Sequence, residues 1–117
     1  AEERAHVLAQ FVKECETNAR VRHPNIVQFL GVVADERGAP RYLMLEYMAG
    51  GTLHDAVHGA GGEQLSSARL HDILLAVCRA LRYLHGLRPP VLHLDVKPRN
   101  VLLEDAERGA AKLGDLG

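Results

Sequence analysis

Four polar side chains near the end of the 117-residue chain are spaced for chemistry on a phosphoryl group: Asp95, Lys97, Asn100 and Asp115. A hydroxyl nucleophile needs a carboxylate that accepts its proton, and Asp95 meets that need. A transferring phosphoryl group needs positive charge beside its oxygens, which Lys97 supplies. Magnesium prefers a few hard oxygen ligands together with phosphates, and the side chains of Asn100 and Asp115 offer such oxygens.

The pair His93-x-Asp95 taken alone is a weak signal, because it also fits two metal ligands or a structural histidine beside a turn aspartate. The seven histidines do not cluster at zinc-ligand spacings, which disfavours a zinc site. We expect His93 to be a packed, hydrogen-bonded scaffold residue and not a proton carrier. The assignment of phosphoryl-transfer chemistry therefore depends on the whole set of residues.

Composition limits the classes of partner and compartment. Hydrophobic residues make up 47% and charged residues 25%, and the formal net charge of −1 gives no nucleic-acid or anionic-membrane footprint. The longest apolar run, residues 73–78, is too short for a bilayer, and the first residues lack a signal-peptide core. Cys15 and Cys78 predict buried thiols in a reducing compartment. We therefore expect a cytoplasmic protein with no nucleic-acid partner and no membrane segment in this chain.

The N-terminal part of the chain predicts one helix and a β-hairpin. Apolar or small residues recur at helical spacing across residues 5–19 and predict a stripe against a core: Leu8, Phe11, Val12, Cys15 and Ala19. The segment His23-Pro24-Asn25 ends this pattern, because proline disfavours helix in the residue before it. Residues 26–34 predict a largely buried strand, and residues 41–47 predict its antiparallel partner across a polar turn.

The rest of the chain predicts helices followed by short strands. Residues 49–51, Ala-Gly-Gly, predict a flexible break, and Thr52 is the predicted N-cap of a short helix. A glycine-rich loop at residues 59–62 precedes the strongest helix, residues 67–87, whose apolar positions repeat at three- and four-residue steps: Leu70, Ile73, Leu74, Val77, Leu81 and Leu84. Short apolar strands then alternate with polar loops, at residues 91–92, 101–103 and 112–113.

Residues 93–117 resemble the catalytic segment of the eukaryotic protein kinase domain. His93 to Asn100 is similar to its catalytic loop, and Lys97-Pro98 is the serine/threonine version of that loop. Asp115-Leu116-Gly117 is similar to the magnesium-binding motif, with Leu116 in place of the usual phenylalanine. The resemblance implies that Asp95 is the base, that Lys97 stabilises γ-phosphate charge, and that Asn100 and Asp115 bind magnesium.

The resemblance covers essentially the whole chain and is nearest to the tyrosine-kinase-like serine/threonine group. Glu14 stands where the family has the helix-C glutamate that pairs with a strand lysine. Leu45 to Met48 is similar to the gatekeeper and hinge, where the backbone of Glu46 and Met48 would hydrogen-bond adenine. Asp55 stands where a ribose-contacting acid often lies, and Leu102 would lie under the adenine ring.

Three of these residues have simpler interpretations that the sequence leaves open. Glu46 also fits an ordinary charge at the end of a strand, since a hinge acts through its backbone. Asp55 also fits a first-turn acid that stabilises the dipole of the short helix. Glu14 also fits a solvated helix charge.

The resemblance implies an α+β, protein-kinase-like fold in two partial lobes. Residues 1–48 would form part of the N-terminal lobe, with helix C, strands 4 and 5 and the hinge. Residues 49–117 would form part of the C-terminal lobe, with helices D and E, the catalytic loop and the magnesium motif. ATP and magnesium are the implied cofactors, and a serine or threonine hydroxyl of a protein is the implied acceptor.

The chain departs from the family pattern at several points. Leu94 stands where most members carry an arginine that pairs with a phosphorylated activation loop, so we expect this phospho-switch to be missing. Asn18 occupies a usually apolar position of helix C, which a solvated helix end would explain. No glycine-rich phosphate loop or strand lysine precedes Glu14 here.

Two other classes of function remain as alternatives to the enzyme. One is a nucleotide-binding pseudokinase or scaffold, and the other is a helix-rich interaction module unrelated to kinases. The intact set of Asp95, Lys97, Asn100 and Asp115 favours the enzyme, because degenerate kinases often lose one of these residues.

Overall fold

The structure, a computed structural model, describes residues 2–59, 65–93, 95–105 and 108–115. Its elements follow in the order α1 (Glu2–Arg20), β1 (Phe29–Ala34), β2 (Pro40–Leu45), α2 (Leu53–His58), α3 (Ser67–Gly86), a 3-10 turn (Pro98–Asn100), β3 (Val101–Leu103) and β4 (Ala111–Leu113). The α+β class is as predicted. Part of the predicted loop at residues 59–62, and the predictions for Leu94, Leu116 and Gly117, lie outside the described residues.

Strands β1 and β2 form the predicted antiparallel hairpin, with Phe29 opposite Leu45 at its open end. The prediction of a largely buried strand from Ile26 onward is wrong, since β1 begins at Phe29 and the side chain of Leu30 is 60% exposed. The reason is that Ile26 and Val27 leave the hairpin for another partner. Ile26 bridges to Leu113 in parallel, and the Val27 N–H donates to the Leu113 carbonyl across 3.0 Å.

The core lies where this extra segment and the β3–β4 hairpin meet α3. The N–H of Leu113 donates to the Asn25 carbonyl across 2.7 Å, so the segment that contains Ile26 continues the small sheet beside β4. Ile26, Leu113 and Leu103 are almost fully buried together with Ile73 and Leu84 of α3. The core therefore joins the N-terminal part of the chain to the strand that leads to Asp115.

Helix α3 buries a stripe that differs in part from the predicted one. Ser66 caps its start by accepting from the Arg69 N–H across 3.0 Å. The buried positions are Ile73, Ala76, Val77, Ala80 and Leu84. The predicted members Leu70 and Leu74 are exposed, because the helix turns its alanine positions toward β4. Small side chains permit this close approach, which a search for large apolar residues overlooks.

The segment 91–92 was predicted as a short strand, but it is not one. The Val91 N–H instead donates to the Leu84 carbonyl across 3.0 Å.

Helix α1 forms where predicted, but its apolar stripe is not packed against a core. Leu8 and Val12 are 45% and 41% exposed, since α1 packs mainly on β1. Asn18 is a buried polar residue of this helix, and its Nδ2 donates to the Glu14 carbonyl across 2.8 Å. A solvated helix end therefore does not explain Asn18. The expectation of two buried thiols is also wrong, since Cys15 is half-buried and Cys78 is exposed.

The glycines predicted as a flexible break are hydrogen-bonded to β3. The Gly50 N–H donates to the Leu103 carbonyl across 2.9 Å, and the Leu103 N–H donates to the Gly51 carbonyl across 2.8 Å. A Cβ atom on Gly50 would lie 2.7 Å from the Leu103 carbonyl oxygen, so no larger residue fits without a backbone shift. Thr52 caps α2 as predicted. The division into lobes at residues 48 and 49 stays a prediction.

Candidate functional site

The loop that follows α3 brings together three of the four residues predicted to act on a phosphoryl group. The Lys97 Nζ lies 3.2 Å from Asp95 Oδ2. The Asn100 Nδ2 donates to the same Oδ2 across 3.2 Å and to the Asp95 carbonyl across 2.8 Å. The side chains of Lys97 and Asp95 are 49% and 57% exposed, so the cluster is open to a ligand.

Local sequence explains this geometry. Lys97 precedes the 3-10 turn, and Pro98 occupies its first position, where the fixed φ of proline suits a helical turn. The Asn100 N–H closes the turn on the Lys97 carbonyl across 2.9 Å. Because both partners of the Asn100 amide nitrogen are acceptors, the hydrogen bonds identify Nδ2, and no residue that the structure describes donates to Oδ1. That oxygen is suited to a hard cation.

His93 is the hydrogen-bonded scaffold residue that the sequence predicted. Its Nδ1 accepts from the Asp95 N–H across 3.1 Å, and its Nε2 lies 2.6 Å from the Gly114 carbonyl oxygen. These partners assign the proton to Nε2, since a carbonyl only accepts. Gly114 also donates its N–H to the Asn100 carbonyl across 2.8 Å. Both backbone groups of Gly114 are therefore fixed to the loop that carries Asp95.

Asp115, the fourth residue of the set, follows Gly114 directly. Its φ of 55° lies in the left-handed region, which non-glycine residues rarely adopt and which is found more often at functional sites. The side chain is exposed and has no hydrogen bond or ion pair to any residue that the structure describes. The carboxylate of Asp115 and the amide oxygen of Asn100 are each of the ligand type that magnesium prefers together with phosphate oxygens and water.

The segment expected to bind adenine offers a free acceptor and a free donor. Glu46 donates its N–H to the Gln28 carbonyl across 2.9 Å, whereas its own carbonyl accepts no hydrogen bond from the described residues. The Met48 N–H likewise has no acceptor in the described part of the chain. Met48 is 8% exposed, and its carbonyl accepts from the Gly51 N–H across 3.3 Å. The two groups have the polarity that the resemblance assigns to them.

The Glu46 carboxylate is not an ordinary strand-end charge, contrary to the simpler interpretation. Its Oε1 accepts from the Gln28 N–H and from Lys112 Nζ, each across 2.8 Å. Burial acts to raise the pKa of the Glu46 carboxyl, but Lys112 and the Gln28 N–H outweigh it, and the pKa lies below its ordinary value. Sequence reasoning missed Lys112, which is 66 residues away. The available signal was a lysine between two apolar residues of a short strand.

The remaining predicted residues lie on α1, α2 and β3. Asp55 is in the first turn of α2 with its side chain 74% exposed, a position that fits a helix-stabilising acid. Leu102 is half-buried on β3, and its Cδ1 lies 3.5 Å from where a Cβ on Gly114 would stand. Glu14 is half-buried on α1, and its carboxylate has no hydrogen bond or ion pair to the described residues. Within the described ranges, no helix combines the length and apolar character needed to cross a membrane.

Comparisons with known proteins show which family the chain resembles. The family model described as protein kinase domain matches residues 1–117. The serine/threonine-protein kinase VIK of Arabidopsis thaliana is 39% identical over 111 residues, which cover 95% of this chain and 24% of that protein. The serine/threonine-protein kinase-like protein CCR2 of the same plant is 43% identical over 108 residues, 92% of this chain and 13% of CCR2. The chain thus spans a quarter or less of the length of these curated relatives.

A solved structure is similar as well. It is the apo form of a pseudokinase, with a TM-score of 0.79 and 28% sequence identity, and the match covers 92% of this chain and 40% of the other.

Proposed function

The chain belongs to the protein kinase domain family, and on that premise we propose that the protein transfers the γ-phosphate of ATP to serine or threonine hydroxyls of a protein substrate. The observation that carries the proposal is the cluster of Asp95, Lys97 and Asn100, joined through His93 to the residue before Asp115. One relative named as a serine/threonine-protein kinase and another named as serine/threonine-protein kinase-like support the choice of acceptor. The alternative of an interaction module unrelated to kinases is excluded by the family match.

Each residue of the cluster has a role that follows from its contacts. Asp95 uses one carboxylate oxygen, Oδ2, for Lys97 and Asn100, which leaves Oδ1 to accept the proton of the acceptor hydroxyl. The Lys97 ammonium stands beside that carboxylate, where it would stabilise charge on the transferring group. When bound, ATP and magnesium supply the phosphoryl group and further positive charge on its oxygens. Asn100 Oδ1 and Asp115 would hold the metal.

The nucleobase would bind on the other side of this centre. The free Glu46 carbonyl and the free Met48 N–H would hydrogen-bond adenine, and Leu102 would pack under the ring. Asp55 would contact the ribose, although its exposed position in α2 equally suits helix stabilisation. Glu14 would pair with a lysine that this chain does not contain. We also propose that residues 1–48 belong to the N-terminal lobe and residues 49–117 to the C-terminal lobe.

The cytoplasm is the proposed site of action. A relative with 36% identity over 92% of this chain is named calmodulin-binding receptor-like cytoplasmic kinase 3, in Arabidopsis thaliana. Other relatives are named as leucine-rich repeat receptor-like kinases, which fits a kinase domain on the cytoplasmic side of a membrane equally well. A protein carrying serine or threonine is the proposed partner in either setting.

A nucleotide-binding pseudokinase is the second candidate, favoured by the similar pseudokinase structure. Phosphate transfer separates the two functions. In a complete kinase domain that contains this chain, radiolabelled γ-phosphate should appear on a serine- or threonine-containing protein. D95A should abolish this transfer and leave nucleotide affinity nearly unchanged, because Asp95 acts on the acceptor. D72A, which removes an exposed carboxylate on α3, is the matched control and should keep full activity. Nucleotide binding without transfer in the wild type would support the pseudokinase.

A further inference from the structure

The open end of the β1–β2 hairpin has an irregular hydrogen-bond pattern. Phe29 stands opposite Leu45, so Gln28 and Glu46 form the next pair outward. In a regular antiparallel pair of this kind, the two residues exchange both backbone hydrogen bonds. The first bond is present, from the Glu46 N–H to the Gln28 carbonyl across 2.9 Å. The second is replaced, because the Gln28 N–H donates to the Glu46 side-chain oxygen Oε1 across 2.8 Å.

The replacement changes the hydrogen bonding of the Glu46 carbonyl. In the regular pattern the Gln28 N–H would occupy the Glu46 carbonyl. Here the carboxylate takes that donor, and no other described residue donates to the carbonyl. With the Met48 N–H also free, the segment presents one acceptor and one donor two residues apart along the chain.

Lys112 explains why the Gln28 N–H donates to the Glu46 carboxylate and not to the Glu46 carbonyl. Its Nζ lies 2.8 Å from Glu46 Oε1, and its side chain is only 16% exposed. A hydrogen bond to an ionised acceptor is about twice as strong as one to a neutral carbonyl. The lysine keeps the carboxylate ionised and oriented toward Gln28. Lys112 itself is fixed on β4 opposite Leu102, the residue expected under the nucleobase.

We propose that Glu46 is a positioning residue for nucleobase recognition: its carboxylate, oriented by Lys112, takes the Gln28 N–H and so keeps the Glu46 carbonyl free to accept a hydrogen bond from the 6-amino group of adenine. The proposal rests on the proposed function and adds a physical reason for base preference. It also assigns a role to Lys112, which contacts no reacting group.

The other end of the same hairpin provides a matched control. The Asp35 N–H donates to the Ala39 carbonyl across 2.8 Å, while the Ala39 N–H donates to Asp35 Oδ1 across 2.9 Å. Arg41 lies 3.2 Å from Asp35 Oδ2, as Lys112 accompanies Glu46. The chemistry is the same, but this pair closes the turn and is not part of the segment expected to bind adenine. D35A therefore removes an equivalent contact without touching the nucleobase site.

The test compares ATP with purine riboside triphosphate, which lacks the 6-amino group, in a complete kinase domain that contains this chain. In E46A the Gln28 N–H is expected to pair with the carbonyl of residue 46. The preference for ATP over the analogue should then fall about 3- to 10-fold, the usual worth of one neutral hydrogen bond. E46Q keeps a side-chain acceptor without its charge and should restore only part of the preference, and D35A should leave the preference unchanged. A ratio of affinities cancels any general loss of stability.

A structural readout on the 117-residue chain accompanies the binding test. NMR coupling through the hydrogen bond, between the Gln28 amide nitrogen and the carbonyl carbon of residue 46, should be absent in the wild type and appear in E46A. If E46A does not fold, K112M serves instead, because it keeps the carboxylate but removes its orienting charge; a smaller loss of preference is expected.

The possible outcomes separate the two proposals. Equal weakening of both nucleotides by E46A and K112M, or a wild type without preference for the 6-amino group, overturns the role of Glu46 and leaves the kinase function standing. A wild-type domain that binds neither nucleotide overturns both.

Discussion

His93 Nε2 and the carbonyl oxygen of Gly114 lie 2.6 Å apart, and this hydrogen bond joins the loop that carries Asp95 to the segment that carries Asp115. The other ring nitrogen accepts from the Asp95 N–H. One imidazole therefore sets the positions of two carboxylates that belong to different segments of the chain. The proposed base and the proposed metal ligand therefore share this support, and the Gly114 N–H adds a second link by donating to the Asn100 carbonyl.

Replacement of His93 should impair both stability and catalysis. H93A removes two hydrogen bonds and leaves the Gly114 carbonyl without its donor, so the free energy of unfolding should fall by about 1–3 kcal/mol. Because Asp95 and Asp115 lose a common support, kcat should fall more than nucleotide affinity. Urea denaturation of the 117-residue chain measures the loss of stability. Steady-state kinetics of a complete kinase domain that contains this chain measure the loss of kcat. H85A, at an exposed histidine of α3, is the control, and an equal loss in both variants would contradict the support role.

The 117-residue chain alone should transfer no phosphate. Phosphoryl transfer depends on positioning and electrostatic stabilisation, and this chain has neither a glycine-rich loop nor a strand lysine before Glu14. A radiolabelled-ATP assay with the purified chain and a generic protein acceptor should give the background rate, equal to that of D95A in the same chain. Turnover above that of D95A would show that the described cluster is sufficient by itself.

Stability should depend on acidic pH through Glu46. The pKa of its carboxyl is lower in the folded protein than its ordinary value of about 4.5, since Lys112 and the Gln28 N–H outweigh the effect of burial. The unfolded chain therefore binds more protons, and the stabilising contribution is complete above this value and is lost as the pH falls through the folded pKa. Urea denaturation between pH 7 and pH 3 should show this loss.

The pH prediction can be assigned to its residues with two variants. E46Q should flatten part of the decline in stability because its side chain does not titrate. D35N should remove a separate part of the decline, because the pKa of Asp35 is also lowered. The Ala39 N–H has the largest effect, and the Arg37 N–H and the Arg41 side chain add to it. A pH profile of E46Q identical to that of the wild type would contradict the assignment to Glu46.

Gly50 should tolerate no side chain. The Cβ of G50A would lie 2.7 Å from the Leu103 carbonyl oxygen and 2.7 Å from the Asp105 carbonyl carbon, so the backbone must shift. We expect a loss of about 1–3 kcal/mol in the free energy of unfolding, as for overpacked cores. G86A is the matched control, since a Cβ there meets nothing within 4 Å at the end of α3. Thermal unfolding of both variants should show a lower Tm for G50A only.

The elements that sequence reasoning predicted well are those determined within a short stretch of chain. Thr52 accepts the Asp55 N–H three residues later, and Asp95, Lys97 and Asn100 meet within six residues. Helical periodicity similarly located α3 and α1. In each case the partners are close in sequence, so residue type and spacing are sufficient.

The features that were missed depend on partners far away in the chain. Periodicity shows that Leu74 lies on a helix but not which face the core occupies, and Ala76 and Ala80 took the buried positions. Val27 pairs with Leu113, so the first residues of the predicted strand are not part of β1. The contact between Glu46 and Lys112 has no local signature either. Such pairings are decided by packing of the whole domain.

The alanines of α3 have a consequence for natural variation in this protein. Ala76 and Ala80 are buried in the same cluster as Ala111 and Leu113, where α3 packs on β4. Since β4 ends two residues before Asp115, a larger side chain at either alanine would displace β4 and, with it, Asp115, the proposed metal ligand. Two small residues thus restrict the substitutions by which this chain can diverge while Asp115 keeps its position.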